Sequence, residues 1–123
     1  MKVLVIDDEQ TVLMPIKKKL EALGFQVCTT PDAIDGILLF DSVKPNLVIV
    51  DINMPEITGI EFINHIRIKK NSSVPIIVLS GNTKDEVMAE AFKLGINDYI
   101  KKPICLNDIC LRIKRLNIFF QTY

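Results

Sequence analysis

The sequence predicts a doubly wound α/β domain on a five-stranded parallel sheet, and three observations carry that expectation. Short β-rich runs alternate with helical periodicity five times. Three of those runs are continuous stretches of Val, Ile and Leu, the pattern of parallel strands buried on both faces. The same three runs end in acidic or hydroxyl residues: Val3-Leu4-Val5-Ile6 leads into Asp7-Asp8, Leu47-Val48-Ile49-Val50 into Asp51, and Ile76-Ile77-Val78-Leu79 into Ser80. All strand C-termini of an open parallel sheet lie on one edge, where ligands bind. A fourth segment, Tyr99-Ile100-Lys101-Lys102-Pro103, brings an ammonium to that edge. Three carboxylates, a hydroxyl and an ammonium gathered there suit Mg²⁺ and a phosphoryl group.

In chain order, the first strand is expected at about residues 2–6. A helix follows over about 10–23, with Val12, Ile16, Leu20 and Leu23 on one apolar stripe. Lys17, Lys18 and Glu21 take its wet side, and Gly24 is its stop. Pro15 conflicts with this helix: past the first turn a proline removes a backbone donor at a cost of about 3 kcal/mol. The helix therefore starts later or kinks there. Phe25–Thr29 alternates, as an edge strand does. Thr30 and Pro31 are placed as N-cap and first residue of the second helix. The third strand is expected at about 46–50. Thr58 and Glu61 have capping-box spacing for a helix over about 59–69. The fourth strand follows at about 75–79. Thr83 and Glu86 repeat the capping signature for a helix that ends at Gly95, and the fifth strand lies at about 97–100. The last helix starts near Leu106 or Asn107, with Ile109, Cys110, Ile113 and Leu116 at core spacing. A βα unit repeated five times implies right-handed crossovers. No linker or repeat divides the chain, so residues 1–123 are read as one domain.

Composition narrows the function classes. The 123 residues are 49% hydrophobic, enough for a core. Fifteen basic residues balance fifteen acidic ones, so no global basic field exists to attract nucleic acid. Arg112, Lys114 and Arg115 read as a solvated helix face. No apolar stretch approaches the length of a membrane span, and the first run is too short for a secretory signal. The expected location is cytoplasmic. Cys28, Cys105 and Cys110 form no CxxC pair and read as buried small hydrophobes. His65, the sole histidine, has no Cys or second His near it in sequence and reads as a helix-surface residue.

The chemistry follows from the strand ends. Adjacent carboxylates repel, raising at least one pKa unless a cation intervenes. Asp51 at a strand end can act as a nucleophile toward phosphorus and form an acyl phosphate. Pro55 and Gly59 shape the loop behind it. Lys102 can pair with one phosphoryl oxygen and Ser80 can donate to another, while Gly81 leaves room.

The set Asp7-Asp8, Asp51 with Met54-Pro55 and Gly59, Ser80-Gly81, and Tyr99 before Lys102-Pro103 resembles the receiver domain of bacterial two-component response regulators. The resemblance covers nearly the whole chain in the family's order and approximate spacing. It implies a flavodoxin-like sheet of order 2-1-3-4-5. It implies Asp51 as phosphoacceptor from a sensor histidine kinase or a histidine phosphotransfer protein. Asp8, Asp51 and the Asn53 carbonyl would be direct Mg²⁺ ligands, with Asp7 acting through a metal-bound water. Lys102 would contact the phosphoryl group across a cis bond to Pro103, and Ser80 and Tyr99 would be the switch pair. The domain would assist its own phosphorylation and dephosphorylation without being an enzyme in the turnover sense. Its readout would be the surface of the fourth helix, fifth strand and fifth helix. Ser80 stands where threonine is also frequent, and Asn53 and Asn82 occupy positions that tune phosphate lifetime. Ile96, where a small residue is common, and Pro15 depart from the pattern.

Two other classes compete. A phosphatase with an aspartyl nucleophile carries a second Asp two residues on, where this chain has Asn53. A flavodoxin-like cofactor binder needs a first loop that welcomes phosphate, and Asp7-Asp8-Glu9 repels one. No output domain is expected within these residues. Leu111, Ile118, Phe119 and Phe120 exceed the inward stripe of the last helix, suggesting an interface with a target, with an output domain or with a second copy.

Overall fold

The computed structural model describes residues 1–81 and 84–116. Five parallel strands, β1 (Lys2–Ile6), β2 (Gln26–Thr30), β3 (Leu47–Asp51), β4 (Ile76–Ser80) and β5 (Asp98–Lys101), form one sheet in the order β2-β1-β3-β4-β5. The helices are α1 (Gln10–Ala22), α2 (Ala33–Val43), α3 (Gly59–Asn64), α4 (Asp85–Lys93) and α5 (Leu106–Arg115). The π-helical turn His65–Lys69 continues α3, closing with the Lys70 N–H donating to the His65 carbonyl at 3.0 Å. The predicted strands and order are those observed, with β2 on the edge as its alternation implied.

The pleat sorts each central strand between two cores. Val3 and Val5 of β1, Leu47 and Ile49 of β3, and Ile77 and Leu79 of β4 face α1 and α5, where Leu13, Ile16, Leu20, Ile109 and Ile113 cover them. Leu4, Ile6, Val48, Val50, Ile76 and Val78 face the other way, onto Ala33, Phe62, Ile63, Ile66 and Ala91. Both sets are fully buried, which is why these strands read as unbroken apolar runs.

Several expectations need correction. The α1 stripe is Leu13, Ile16 and Leu20; Val12 is only partly buried and Leu23 is exposed, because the helix ends at Ala22 and Leu23 caps it. Pro15 does not delay α1: the helix starts at Gln10 and runs through it, with Pro15 exposed. Helix α2 is capped by Asp32, whose side chain accepts the Ile34 N–H at 2.8 Å, and not by Thr30. Thr30 remains the last residue of β2 and donates to Asp35 at 2.9 Å. Helix α4 begins at Asp85 with Lys84 at its N-cap and no side-chain cap, later than a Thr83–Glu86 box requires; Thr83 itself lies outside the described residues. Cys105 is exposed and Cys28 and Cys110 are half-buried, so none is a core hydrophobe, and all three are free thiols. His65 is half-buried rather than on the surface, and its Nε2 is buried without a partner among the described residues.

The Thr58–Glu61 capping box is present: Thr58 Oγ1 accepts the Glu61 N–H at 3.2 Å and Glu61 accepts the Thr58 N–H at 3.3 Å. It starts α3 hard against the end of β3. There the Gly59 N–H donates to the Ile52 carbonyl at 3.1 Å. A Cβ on Gly59 would lie 2.5 Å from the Asp51 carbonyl oxygen and 2.6 Å from Ile52 Cα. Both are backbone atoms that cannot step aside. Gly59→Ala should therefore destabilise the protein by about 1–3 kcal/mol through overpacking, read as a lower urea midpoint at unchanged slope. An unaltered midpoint would show that β3 and α3 can separate freely.

Candidate phosphoacceptor site

The C-terminal edge of the sheet is where the predicted residues meet. Ile6 pairs with Val50, and the ladder extends one step when the Asp7 N–H donates to the Thr30 carbonyl at 3.2 Å. Asp7 therefore stands level with Asp51 on the adjacent strand. Asp51 pairs with Leu79 and Ser80 with Lys101, while the Lys102 N–H donates to the Ser80 carbonyl at 2.7 Å. By alternation, Asp7 and Asp51 continue the face of Val5 and Ile49, and Lys102 that of Ile100. Ser80 and Tyr99 continue the opposite face, where Val78 and Tyr99 are register partners.

The two buried aspartates are held alike. Asp7 Oδ1 accepts the Glu9 N–H at 2.9 Å, and Asp51 Oδ1 accepts the Asn53 N–H at 3.2 Å. Each is a short side chain bonding backbone two residues on, a turn that aspartate favours. Their other oxygens converge on one ammonium: Lys102 Nζ lies 2.9 Å from Asp7 Oδ2 and 3.5 Å from Asp51 Oδ2. The third carboxylate at that ammonium is Glu9, at 2.7 Å. Asp8, exposed, completes a group of four whose nearest carboxylate oxygens lie within 4.8 Å of one another. The bond between Lys102 and Pro103 is cis.

The electrostatics follow from burial. Asp51 is pushed up to about 6 by desolvation and then by the charge of Asp7, against the Asn53 N–H and Lys102. Asp7 is raised for the same leading reason, opposed by the Glu9 N–H and Lys102. Burial would lower Lys102, but hydrogen bonds to Glu9 and Asp7 and the charge of Asp51 outweigh it and raise its pKa. Among the described residues, four carboxylates thus cluster with one ammonium, which contacts three of them. That imbalance and the all-oxygen donor set fit a hard divalent ion such as Mg²⁺. Ser80 Oγ fits the remaining requirement: it is fully buried and has no partner among the described residues. A buried hydroxyl left unpaired costs free energy unless an acceptor reaches it.

Asp7, Asp51 and Lys102 are brought into contact, Asp8 joins them from solvent, and Asn53 anchors Asp51 through its N–H. Tyr99 is half-buried on β5, two strands from Asp51, packed on the core beneath α3 and α4. A Cβ placed on Gly81 would meet no atom of the described residues within 4 Å. Asn82 lies outside the described residues. The residue that sequence reasoning passed over is Glu9, seen there only as part of a repelling acidic run. Its place directly after the Asp pair was the available signal.

Residues 3–114 match the response regulator receiver domain. The chain belongs to that family. Among curated proteins, a probable transcriptional regulator ycf27 of Galdieria sulphuraria is 35% identical over 115 residues, which is 92% of this chain and 44% of that protein. The transcriptional regulatory protein PrrA of Mycobacterium tuberculosis is 31% identical, over 94% of this chain and 49% of its own length. This receiver domain spans about half the length of the curated relatives it matches. A solved receiver domain from Clostridium thermocellum is 31% identical with a TM-score of 0.86, covering 98% of this chain and 95% of that one. A CheY-like receiver from Methanospirillum hungatei reaches a TM-score of 0.90 at 26% identity, with the same coverage. Among the described residues no helix is long and apolar enough to cross a membrane.

The raised Asp51 value makes a contribution of its own to the pH dependence of the metal-free receiver. Its value of about 6 in the folded state lies above 3.8, so the native state holds this proton more tightly than the unfolded chain. The contribution of Asp51 to stability is then fully present at low pH and is lost as pH rises between those two values. Asp51→Asn removes the charge. In metal-free buffer the variant should gain on the wild type by on the order of 1–3 kcal/mol between about pH 4 and about pH 7. Urea titrations at both pH values measure this, and a gap that does not change with pH would refute the assignment.

Proposed function

We propose that this receiver accepts a phosphoryl group on Asp51 from a phosphohistidine and uses it to change its own surface. The observation that carries the reading is the convergence on Asp51 of Lys102 and the acidic group, with the Ser80 hydroxyl, which has no partner among the described residues, one residue beyond the register partner of Asp51. In the transfer, a carboxylate oxygen of Asp51 forms a bond to phosphorus as the phosphorus–nitrogen bond of the donor breaks. The imidazole leaves with the bonding pair and takes a proton. Phosphoryl transfer asks a protein for positioning and charge stabilisation, and this pocket supplies both. Asp8, Asp51 and the Asn53 carbonyl would hold Mg²⁺, with Asp7 supporting it. When bound, Mg²⁺ neutralises charge developing on the phosphoryl oxygens. Lys102 is the protein's own cation for the same task. Asn53 is an amide, so no second carboxyl stands two residues beyond Asp51 as general acid. The domain reads as a stoichiometric acceptor rather than a turnover phosphatase.

The added group brings about −1.5 to −2 charges and fresh acceptor oxygens. Ser80, short of an acceptor, turns to one of them and carries the start of its loop toward Asp51. Tyr99 shares the Ser80 face of the sheet and moves into the space released. The readout is the surface of α4, β5 and α5. There Phe92 and Leu111 are exposed, and Arg112 clamps Asp98 at 2.6 Å and the Tyr99 carbonyl at 2.8 Å. Ile118, Phe119 and Phe120, expected to extend that surface, lie outside the described residues. Shifting such an equilibrium from 1:99 to 99:1 takes about 5.5 kcal/mol of differential interaction. Several charge-assisted hydrogen bonds together reach that scale. The donor would be a sensor histidine kinase or histidine phosphotransfer protein in the cytoplasm. The reader would be a target protein, an output domain or a second receiver.

A small phosphoramidate donor with Mg²⁺ should add one base-labile phosphoryl group, visible by intact mass. Asp51→Asn should abolish it, and chelation of Mg²⁺ should suppress it in the wild type. Undiminished labelling of Asp51→Asn would exclude Asp51 as the acceptor.

A further inference from the structure

Lys102 is already engaged before any phosphoryl group arrives, and its shortest contact is to a residue outside the expected set. Glu9 Oε1 lies 2.7 Å from Lys102 Nζ, closer than Asp7 at 2.9 Å or Asp51 at 3.5 Å. The three carboxylates differ in freedom. The side chains of Asp7 and Asp51 are 0% and 3% exposed and each is pinned by a backbone N–H, whereas that of Glu9 is 56% exposed. The Glu9 main chain is fixed, since its carbonyl accepts the Val12 and Leu13 N–H groups at the start of α1. Its carboxylate is not. Glu9 and Lys102 also rim a cleft of about 640 Å³ between α1 and the segment after β5, floored by Val12, Ile16 and Ile104. Glu9 therefore has open space to turn into, and the buried aspartates have none.

We propose that Glu9 is a positioning residue that restrains Lys102 in the unphosphorylated receiver, so that the Glu9–Lys102 ion pair acts as a brake on phosphorylation of Asp51. The inference rests on Asp51 being the acceptor. As phosphorus approaches, the ammonium must lean from Glu9 toward the incoming oxygens. Asp7 can keep its contact through this movement, whereas the Glu9 pair is broken and its carboxylate returns to water. No covalent bond of Glu9 or Lys102 changes. The phosphoryl group carries more charge than the carboxylate it displaces, so the exchange runs forward once transfer has occurred. Before transfer, the pair holds the lysine back.

Breaking an ion pair with one partner largely in solvent corresponds to a rate effect of roughly two- to fivefold. Glu9→Gln should accelerate phosphorylation by a small phosphoramidate, under saturating Mg²⁺, by that factor. The same substitution in a Lys102→Met background should give no acceleration, because nothing is left to release. The Mg²⁺ isotherm of the unphosphorylated Glu9→Gln protein, measured by calorimetry, confirms that the variant is folded and shows whether Glu9 serves the cation instead. Three results overturn the brake: an unchanged rate, a slower rate with weakened Mg²⁺ binding, or an acceleration that survives in Lys102→Met. The last would mean that Glu9 merely repels anionic donors. Phosphorylation of wild type lost in Asp51→Asn, together with any of these, rejects the brake alone. Labelling that persists in Asp51→Asn rejects the acceptor assignment and the brake with it.

Discussion

One ammonium in a nest of carboxylates is the constraint on which the active edge depends. Lys102 Nζ reaches Asp7, Glu9 and Asp51, which sit on the ends of two neighbouring strands and in the loop after β1. Without it, two buried aspartates on adjacent strands would face each other with no compensation, and burial already raises both. The arrangement stores an unmet demand for positive charge at a place where the chain cannot easily rearrange. Such a site is poised for a cation and then for the charge-rich group that a cation attracts.

The sheet makes that poise rigid. Fully buried strands on both faces fix the register, because a slip by one residue would turn every core side chain outward. The same register decides which polar side chain points where once the strands end. Asp7, Asp51 and Lys102 inherit the α1/α5 side, and Ser80 and Tyr99 inherit the α3/α4 side. The carboxylate–lysine cluster and the Ser80–Tyr99 pair are therefore placed on opposite faces of the sheet by pleat parity. Gly59 contributes at this level too: it lets α3 start against the Asp51 carbonyl, so the end of β3 is clamped from behind.

Much of this was legible in the sequence because buried parallel strands leave a continuous apolar signature that ends abruptly in polar residues. The strands, the capping box at Thr58 and the gathering of Asp7, Asp51 and Lys102 all follow from such local signals, whereas the strand order came from the family resemblance. The misreadings have a common physical cause. Helix ends are decided by which of several adjacent hydroxyl or carboxyl residues caps the backbone, and Asp32 does so where Thr30 was expected. Leu23 fits the α1 periodicity but lies past its last turn. Pro15 is tolerated within α1, as the packing of Leu13, Ile16 and Leu20 carries the helix past one missing donor. The cysteines are small enough for either environment, so composition alone could not place them.

Glu9 escaped for a different reason. A carboxylate in an acidic run is first read by its charge, which predicts repulsion of phosphate and attraction of a metal. Its role here depends on a lysine 93 positions away in sequence, brought to 2.7 Å from the end of β5 although β3 and β4 lie between that strand and β1. No local pattern encodes that pairing. Its consequence is nonetheless specific to the residue type: a neutral or shorter side chain after Asp8 would leave Lys102 to the buried aspartates alone. Receivers sharing the same three aspartates and lysine can then differ in how readily the lysine is released, with the tuning residue on the solvent side, where substitution costs the fold least.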